Sequence, residues 1–185
     1  MTIRFYIERL DEVTSTNTVL LERARQGAPE GIVLTADHQT AGRGKPGRNW
    51  VSPVSKNLLF SILLRPPLSP AQAPLLTQVA CRAVAKTLKD KYDVASEFKR
   101  PNDLMVETKK ICGTLVEALS STSKLEAVVI GIGLNVNADA SELPPEGTSM
   151  RLVKRQVFSK ELILTHILNE LGIKLHELYK TGTIK

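Results

Sequence analysis

Residues 40–64 read TAGRGKPGRNWVSPVSKNLLFSILL, and the residues after the glycines decide between folds. Gly42, Gly44 and Gly47 have the spacing G-x-G-x-x-G of a dinucleotide fingerprint. That motif carries a strand directly into a helix, so that a pyrophosphate meets the helix N-terminus. A strand does precede it, in the aliphatic and β-branched stretch GIVLTAD at 31–37. No helix can come next, because Pro46 interrupts the loop, Pro53 comes soon after, and the apolar run 58–64 reads as a second strand. The stretch also falls short of a P-loop, G-x-x-x-x-G-K-[ST]. Arg48-Asn49 stands where a lysine and a Mg2+-binding hydroxyl are required. The remaining reading is a flexible cationic loop joining two strands, whose N–H groups and guanidinium ions suit an anion.

Upstream of this stretch, residues 3–10 alternate apolar and polar side chains and read as a strand. Ser15, Thr16 and Asn17 are N-cap types ahead of VLLERARQG, a short helix ending at Gly27. Downstream, RPPLSP at 65–70 is a loop. The longest helix spans 71–92, with Leu75, Leu76, Val79, Ala80, Ala83, Val84 and Leu88 on one face. Residues 96–119 read as a strand, a tight turn at 100–103, a strand, a polar turn at 107–109 and a longer strand. A further strand at 125–136, a Pro- and acid-rich loop at 138–147 and a helix at 159–179 complete the chain. Strands in meander order, broken by helices, predict an α+β layer fold rather than a doubly wound sheet. With no repeat or linker in view, residues 1–185 are expected to form a single domain.

Apolar residues make up 42% and charged residues 24%, a globular rather than a disordered composition. The net charge of +6 favours an anionic ligand without choosing between nucleic acid and nucleotide. Cys81 and Cys112 form no C-x-x-C and read as reduced core thiols. The N-terminus is too charged for a signal peptide, and no apolar run reaches the ~18 residues of a membrane span. A cytoplasmic location is the expectation.

His38, His166 and His176 share no metal spacing, and no G-x-S-x-G elbow is present. The polar clusters are Ser15–Thr16–Asn17, Gln39 with the glycine loop, residues 99–103, Lys110 and Asn135, each at a strand end or turn. They supply cations, amides and hydroxyls but no nucleophile and no evident base. That inventory suits a substrate that is itself the nucleophile. A carboxylate attacking the α-phosphate of ATP needs no deprotonation; it needs two anions held together and cations on the transferring phosphoryl group.

The set STN (15–17), QTAGRGKPGRNW (39–50), KRPNDL (99–104), KKICGTLVE (109–117), GIGLNVN (131–137) and TSM (148–150) resembles the catalytic domain of biotin protein ligases. The likeness runs in order from about residue 10 to 150. It implies a fold related to class II aminoacyl-tRNA synthetases, a mixed, mostly antiparallel sheet with helices on one side. It implies biotin and ATP, with Mg2+, as the compounds used, biotinyl-5′-AMP as intermediate, and a lysine of a biotin carboxyl carrier domain as acceptor. By that resemblance Ser15, Thr16, Asn17, Gln39 and the Arg43 backbone hold the ureido ring of biotin. The loop of Gly42, Arg43, Lys45 and Arg48 folds over biotin and its phosphate. Trp50 packs against adenine, and Asn102 and Asn135 contact the nucleotide. Lys110 holds the biotin carboxylate and the α-phosphate, and Asp103 orients or deprotonates the acceptor lysine. Gly113, Gly131 and Gly133 let strands approach the ligand.

Three departures from the family pattern stand out. Arg100 replaces a tryptophan, Lys45-Pro46 replaces an Arg-Arg pair, and neither a helix-turn-helix domain nor a small C-terminal β-barrel is present in this sequence. Specific DNA binding is therefore not expected, nor is a membrane role; a homodimer through sheet edges, frequent among the ligases this sequence resembles, stays open. Two other readings stay open. One is a relative acting on lipoate or octanoate, against which the Ser/Thr/Gln set speaks. The other is a basic nucleic-acid module, for which four Phe, three Tyr and one Trp offer few stacking platforms.

Overall fold

The computed structural model describes residues 3–45, 47–121 and 124–184. Its strands are β1 (Tyr6–Val13), β2 (Ile32–Gln39), β3 (Leu58–Leu64), β4 (Glu97–Lys99), β5 (Asp103–Val106), β6 (Lys109–Ser120) and β7 (Leu125–Leu134). Its helices are α1 (Thr16–Arg25), α2 (Ala73–Tyr92), α3 (Met150–Lys154) and α4 (Lys160–Thr181). The strands form one sheet in the order β1-β2-β3-β7-β6-β5-β4. Every pairing is antiparallel except that of β1 with β2, which is parallel. A parallel pair needs a crossover, and α1 supplies it. The N-terminal strands β1–β3 thus form one half of the sheet and β4–β7 the other, meeting at the β3–β7 seam.

β3 is buried at all seven positions. An uninterrupted apolar run of that kind belongs to a strand covered on both faces. Phe60 and Ile62 point into the larger core with Leu76, Val84 and Leu88 of α2 and Ile163, Ile167 and Leu171 of α4. Leu63 points the other way, joining Leu34, Val129 and the apolar face of α1 (Leu20, Leu21, Ala24) in a smaller cluster. The expectation of helices on one side of the sheet is thereby corrected. α2 and α4 already fill one face, and the β1–α1–β2 crossover packs on the other.

Boundaries moved modestly elsewhere. β1 begins at Tyr6, three residues later than its alternation suggested, because nearly all of this edge strand is exposed on both faces and alternation marks no core. α2 starts after a 3-10 turn at Pro70–Gln72. The α4 cap is Ser159, whose hydroxyl accepts from Leu162 N. α3 was not anticipated. Cys81 and Cys112 are free and fully buried. Burial pushes the Cys81 thiol up to about 11 and Cys112 well above its ordinary value, so both stay protonated at neutral pH.

One side chain fixes where α1 lies. Arg65, just past β3, donates through Nη2 to Ala24 O (3.1 Å) and Ala28 O (2.8 Å), through Nε to Ala28 O (3.1 Å), and through Nη1 to Glu126 O (3.0 Å). It gathers carbonyls at and just past the C-terminal end of α1, where Ala24 O also accepts from Gly27 N (3.1 Å), and ties them to the sheet. Arg65→Met is expected to lower unfolding free energy by about 2 kcal/mol, measured by urea denaturation. An unchanged midpoint would show that the helix end is held by packing alone.

Candidate active site

The smaller apolar cluster covers only part of its face of the sheet. Beyond the N-terminus of α1, the same face forms the floor of a cavity of about 320 Å³. That floor is made of glycine. Gly113 on β6 and Gly133 on β7 are paired neighbours, and Gly131 lies one step along, opposite Leu115. Side chains press down on these positions. A Cβ on Gly131 would lie 2.1 Å from Asn17 Oδ1, and one on Gly133 would lie 2.5 Å from Trp50 Cε2.

Residues 42–45 and 47–50 make the cavity roof, and backbone hydrogen bonds join them as a hairpin. Arg43 and Asn49 bridge as in a hairpin, Trp50 N donates to Gly42 O (2.9 Å) and Gly44 N donates to Arg48 O (2.9 Å). Gly47, at φ +78°, turns the chain back. Pro46, part of the Lys45-Pro46 departure from the family pattern, lies outside the described residues. Trp50 comes down from this hairpin onto the glycine floor, and Lys110 Nζ lies 5.2 Å from its ring centroid. The indole Nε1 is buried with no hydrogen-bond partner among the described residues.

One end of the cavity is polar and neutral. Ser15 occupies the N-cap position of α1, yet its hydroxyl caps no helix N–H. Gln39 does that instead, its Oε1 accepting from Thr16 N (2.8 Å) and Thr16 Oγ1 (3.1 Å). Ser61 Oγ lies 2.6 Å from both Thr16 Oγ1 and Asn17 Oδ1. Asn17 Nδ2 donates to Glu117 Oε2 (2.8 Å), and the same carboxylate oxygen is ion-paired with Arg43 Nη2.

The other end is charged. Lys110 Nζ is 2.9 Å from Asp103 Oδ1, a contact of charge rather than an aligned hydrogen bond. Asp103 opposes Gly113 across the β5–β6 pair, and Lys110 precedes that glycine on β6. Asn102 donates from Nδ2 to Thr114 O (2.6 Å), and its Oδ1 is buried without a hydrogen-bond partner among the described residues. Asn135 is taken up by its own chain at both ends of its amide, accepting from Asn57 Nδ2 (3.0 Å) and donating to Thr148 O (3.0 Å). Five cations (Arg43, Lys45, Arg48, Lys99, Lys110) and two carboxylates (Asp103, Glu146) line the cavity, so it attracts an anion.

Of the sixteen residues singled out by sequence, fifteen line this one cavity. The exception is Gly42, which is buried beside it: a Cβ there would meet Trp50 O at 2.3 Å. Sequence reading assigned nothing to Ser61, to Glu117 or to the 143–147 segment, which adds Leu143, Pro144, Glu146 and Gly147 to the wall. Ser61 did carry a signal, as the one polar residue in LLFSILL. Glu117 shares its strand parity with Gly113 and so faces the same side.

The chain belongs to the biotin/lipoate A/B protein ligase family, whose profile matches residues 10–135. Among curated relatives, it is 33% identical over 162 residues to the bifunctional ligase/repressor BirA of Bacillus subtilis, covering 85% of this chain and 50% of that protein. It is 34% identical over 166 residues to the biotin–[acetyl-CoA-carboxylase] ligase of Mycobacterium tuberculosis, covering 87% of this chain and 60% of that one. The chain thus spans about half the length of the curated relatives it matches. Among solved structures, biotin protein ligase from Aquifex aeolicus, in complex with biotin and ATP, superposes with a TM-score of 0.80 at 29% identity, covering 95% of this chain and 72% of that one.

Proposed function

We propose that this chain carries the catalytic unit of a biotin protein ligase, which activates biotin with ATP as biotinyl-5′-AMP and transfers the biotinyl group to a lysine of a biotin carboxyl carrier domain. The observation that supports this reading is the cavity itself: a neutral polar end and a cationic end joined by a bare glycine floor. A molecule with a hydrogen-bonding ring at one end and a carboxylate at the other matches that polarity.

In this reading Ser15, Thr16, Asn17 and Gln39 meet the ureido ring, whose donors and acceptor need partners once desolvated. The free Ser15 hydroxyl is the group best placed to turn toward it. The biotin carboxylate then reaches Lys110, which leaves Asp103 to neutralise it. A carboxylate oxygen attacks the α-phosphorus of ATP, the acyl–phosphate bond forms and pyrophosphate departs. Lys110, Arg43, Lys45 and Arg48 hold the charge on both anions. Mg2+ enters with ATP as part of the substrate; among the described residues no group of three or more His, Cys, Asp or Glu side chains is placed to hold a metal. Asn102 Oδ1, buried and free to accept, suits an exocyclic amine of the base, Trp50 packs beside it, and Asn135 shapes the same wall. In the second step the acceptor amine attacks the acyl carbon and AMP leaves. Asp103, released from Lys110, takes the proton from an ammonium whose ordinary pKa is about 10.4.

Titration calorimetry with biotin, then mass spectrometry of a carrier domain after addition of ATP and Mg2+, tests the proposal. Binding of biotin, a raised melting temperature and a biotin-sized mass gain on one lysine are expected. Folded protein that leaves the carrier unmodified would overturn it. The family also includes lipoate ligases, so octanoate and lipoate belong in the same experiment as competitors. An aliphatic acyl chain would strand the polar end, so neither is expected to displace biotin.

A further inference from the structure

Arg43 lies on the roof and Glu117 on β6, beside the cavity on the same side of the sheet, and side chains connect them to the rest of the neutral end. From Arg43 the connection runs to Glu117, to Asn17, to Ser61, to Thr16 and to Gln39. Gln39 and Arg43 are only four residues apart, at the start of the hairpin, so the path closes on itself. Glu117 is the one charged residue facing Arg43 in that ring. Apart from it, the hairpin is tied to the sheet by the backbone foot at Thr40 and Ala41, on the β1 side, and by the Trp50 indole resting on Gly113 and Gly133. Glu117 is its charged tie to β6, through the Arg43 side chain.

We propose that Glu117 is a positioning residue: by holding Arg43 and Asn17 together it closes the roof over the cavity and retains the acyl-adenylate until the acceptor arrives. The inference rests on the adenylating reading of the site, because a mixed anhydride needs shielding from water. It assigns to Glu117 no contact with either substrate. The carboxylate acts on the ligand through the two groups it holds, one reaching the roof and one the ureido end.

The test compares wild type with Glu117→Gln and Glu117→Ala in two arms. In the first, the protein without substrates is treated with trypsin. Faster cleavage after Arg48 is expected in both variants at unchanged melting temperature; equal rates would overturn the anchoring. In the second, biotinyl-AMP escaping into solution is measured during single turnover. Loss of a half-exposed charge-assisted bond is expected to raise the escape rate about tenfold while leaving the first-turnover rate within about threefold. Arg43→Met is then combined with each variant. With biotinyl-AMP preloaded, so that adenylate formation does not enter, the part of the Glu117 effect that runs through Arg43 vanishes in the double variant; fully additive release would overturn the proposal. Should Glu117→Ala fail to fold, the isosteric Glu117→Gln carries both arms. A wild-type protein that forms no adenylate refutes the functional reading itself, whereas the trypsin arm still decides the anchoring.

Discussion

Lys110→Met is expected to slow biotinyl-AMP formation by about a hundredfold or more, with a smaller effect on biotin affinity. Methionine keeps the length and the apolar stem, which stacks near Trp50, and removes only the charge. That removal acts in two ways. In the proposed mechanism, the biotin carboxylate and the α-phosphate lose the ammonium that lets them approach, a loss felt most where charge concentrates. Asp103 also loses its ion-pair partner, at 2.9 Å in the structure, and adds a further negative charge beside the reacting anions. Lys110→Arg restores charge without the same point geometry and should recover only part of the rate. Single-turnover measurement at saturating biotin and ATP separates the two effects. A rate within a few fold of wild type in Lys110→Met, and in its double variant with Arg43→Met, would remove the electrostatic basis of the mechanism.

Two single-methyl additions to the floor are expected to have opposite selectivity. In Gly131→Ala the new Cβ falls 2.1 Å from Asn17 Oδ1 and 2.8 Å from its Cγ. Asn17 cannot step aside cheaply, because Ser61, Glu117 and Leu115 O hold its amide and its residue is in the first turn of α1. The whole neutral end shifts, and biotin affinity is expected to fall about tenfold to a hundredfold, the range set by overpacking costs of about 1–3 kcal/mol. In Gly133→Ala the obstacle is the Trp50 indole, at 2.5–2.9 Å, which hangs from the hairpin and can lift. That variant should raise KM for ATP while leaving biotin affinity nearly intact. Calorimetry with biotin and steady-state kinetics with ATP check both. Equal losses of both ligands in both variants would mean that the floor is one undivided surface.

How much of this was legible in the sequence depended on the physical signal each element carries. The run 58–64 declared a central strand through length and unbroken apolarity, and its observed bounds agree. The periodicity of α2 is long enough to place its buried face. α3, with five residues, is too short to show a period at all. The side of the sheet taken by α1 results from competition for the other face by α2 and α4, which no local pattern records. Hydrogen-bond wiring was the least legible. Ser15–Asn17 looks like an ordinary cap, yet Gln39, twenty-three residues from Thr16, does the capping. Asn135 stands in a glycine-flanked motif that suggests contact with a ligand, while its amide is spoken for by Asn57 and Thr148. Glu117 pairs with a residue 74 positions away and shows only the parity of its strand.

The seam between β3 and β7 has a consequence for biosynthesis. In the proposed reading, the residues that meet the ureido ring and the hairpin above them are encoded before residue 51, whereas Lys110, Asp103 and the three floor glycines are encoded after residue 102. A growing polypeptide emerging from the ribosome therefore owns no functional half-pocket. Two fragments cut at the β3–α2 connection are therefore expected to bind no biotin apart and to regain binding when reassembled.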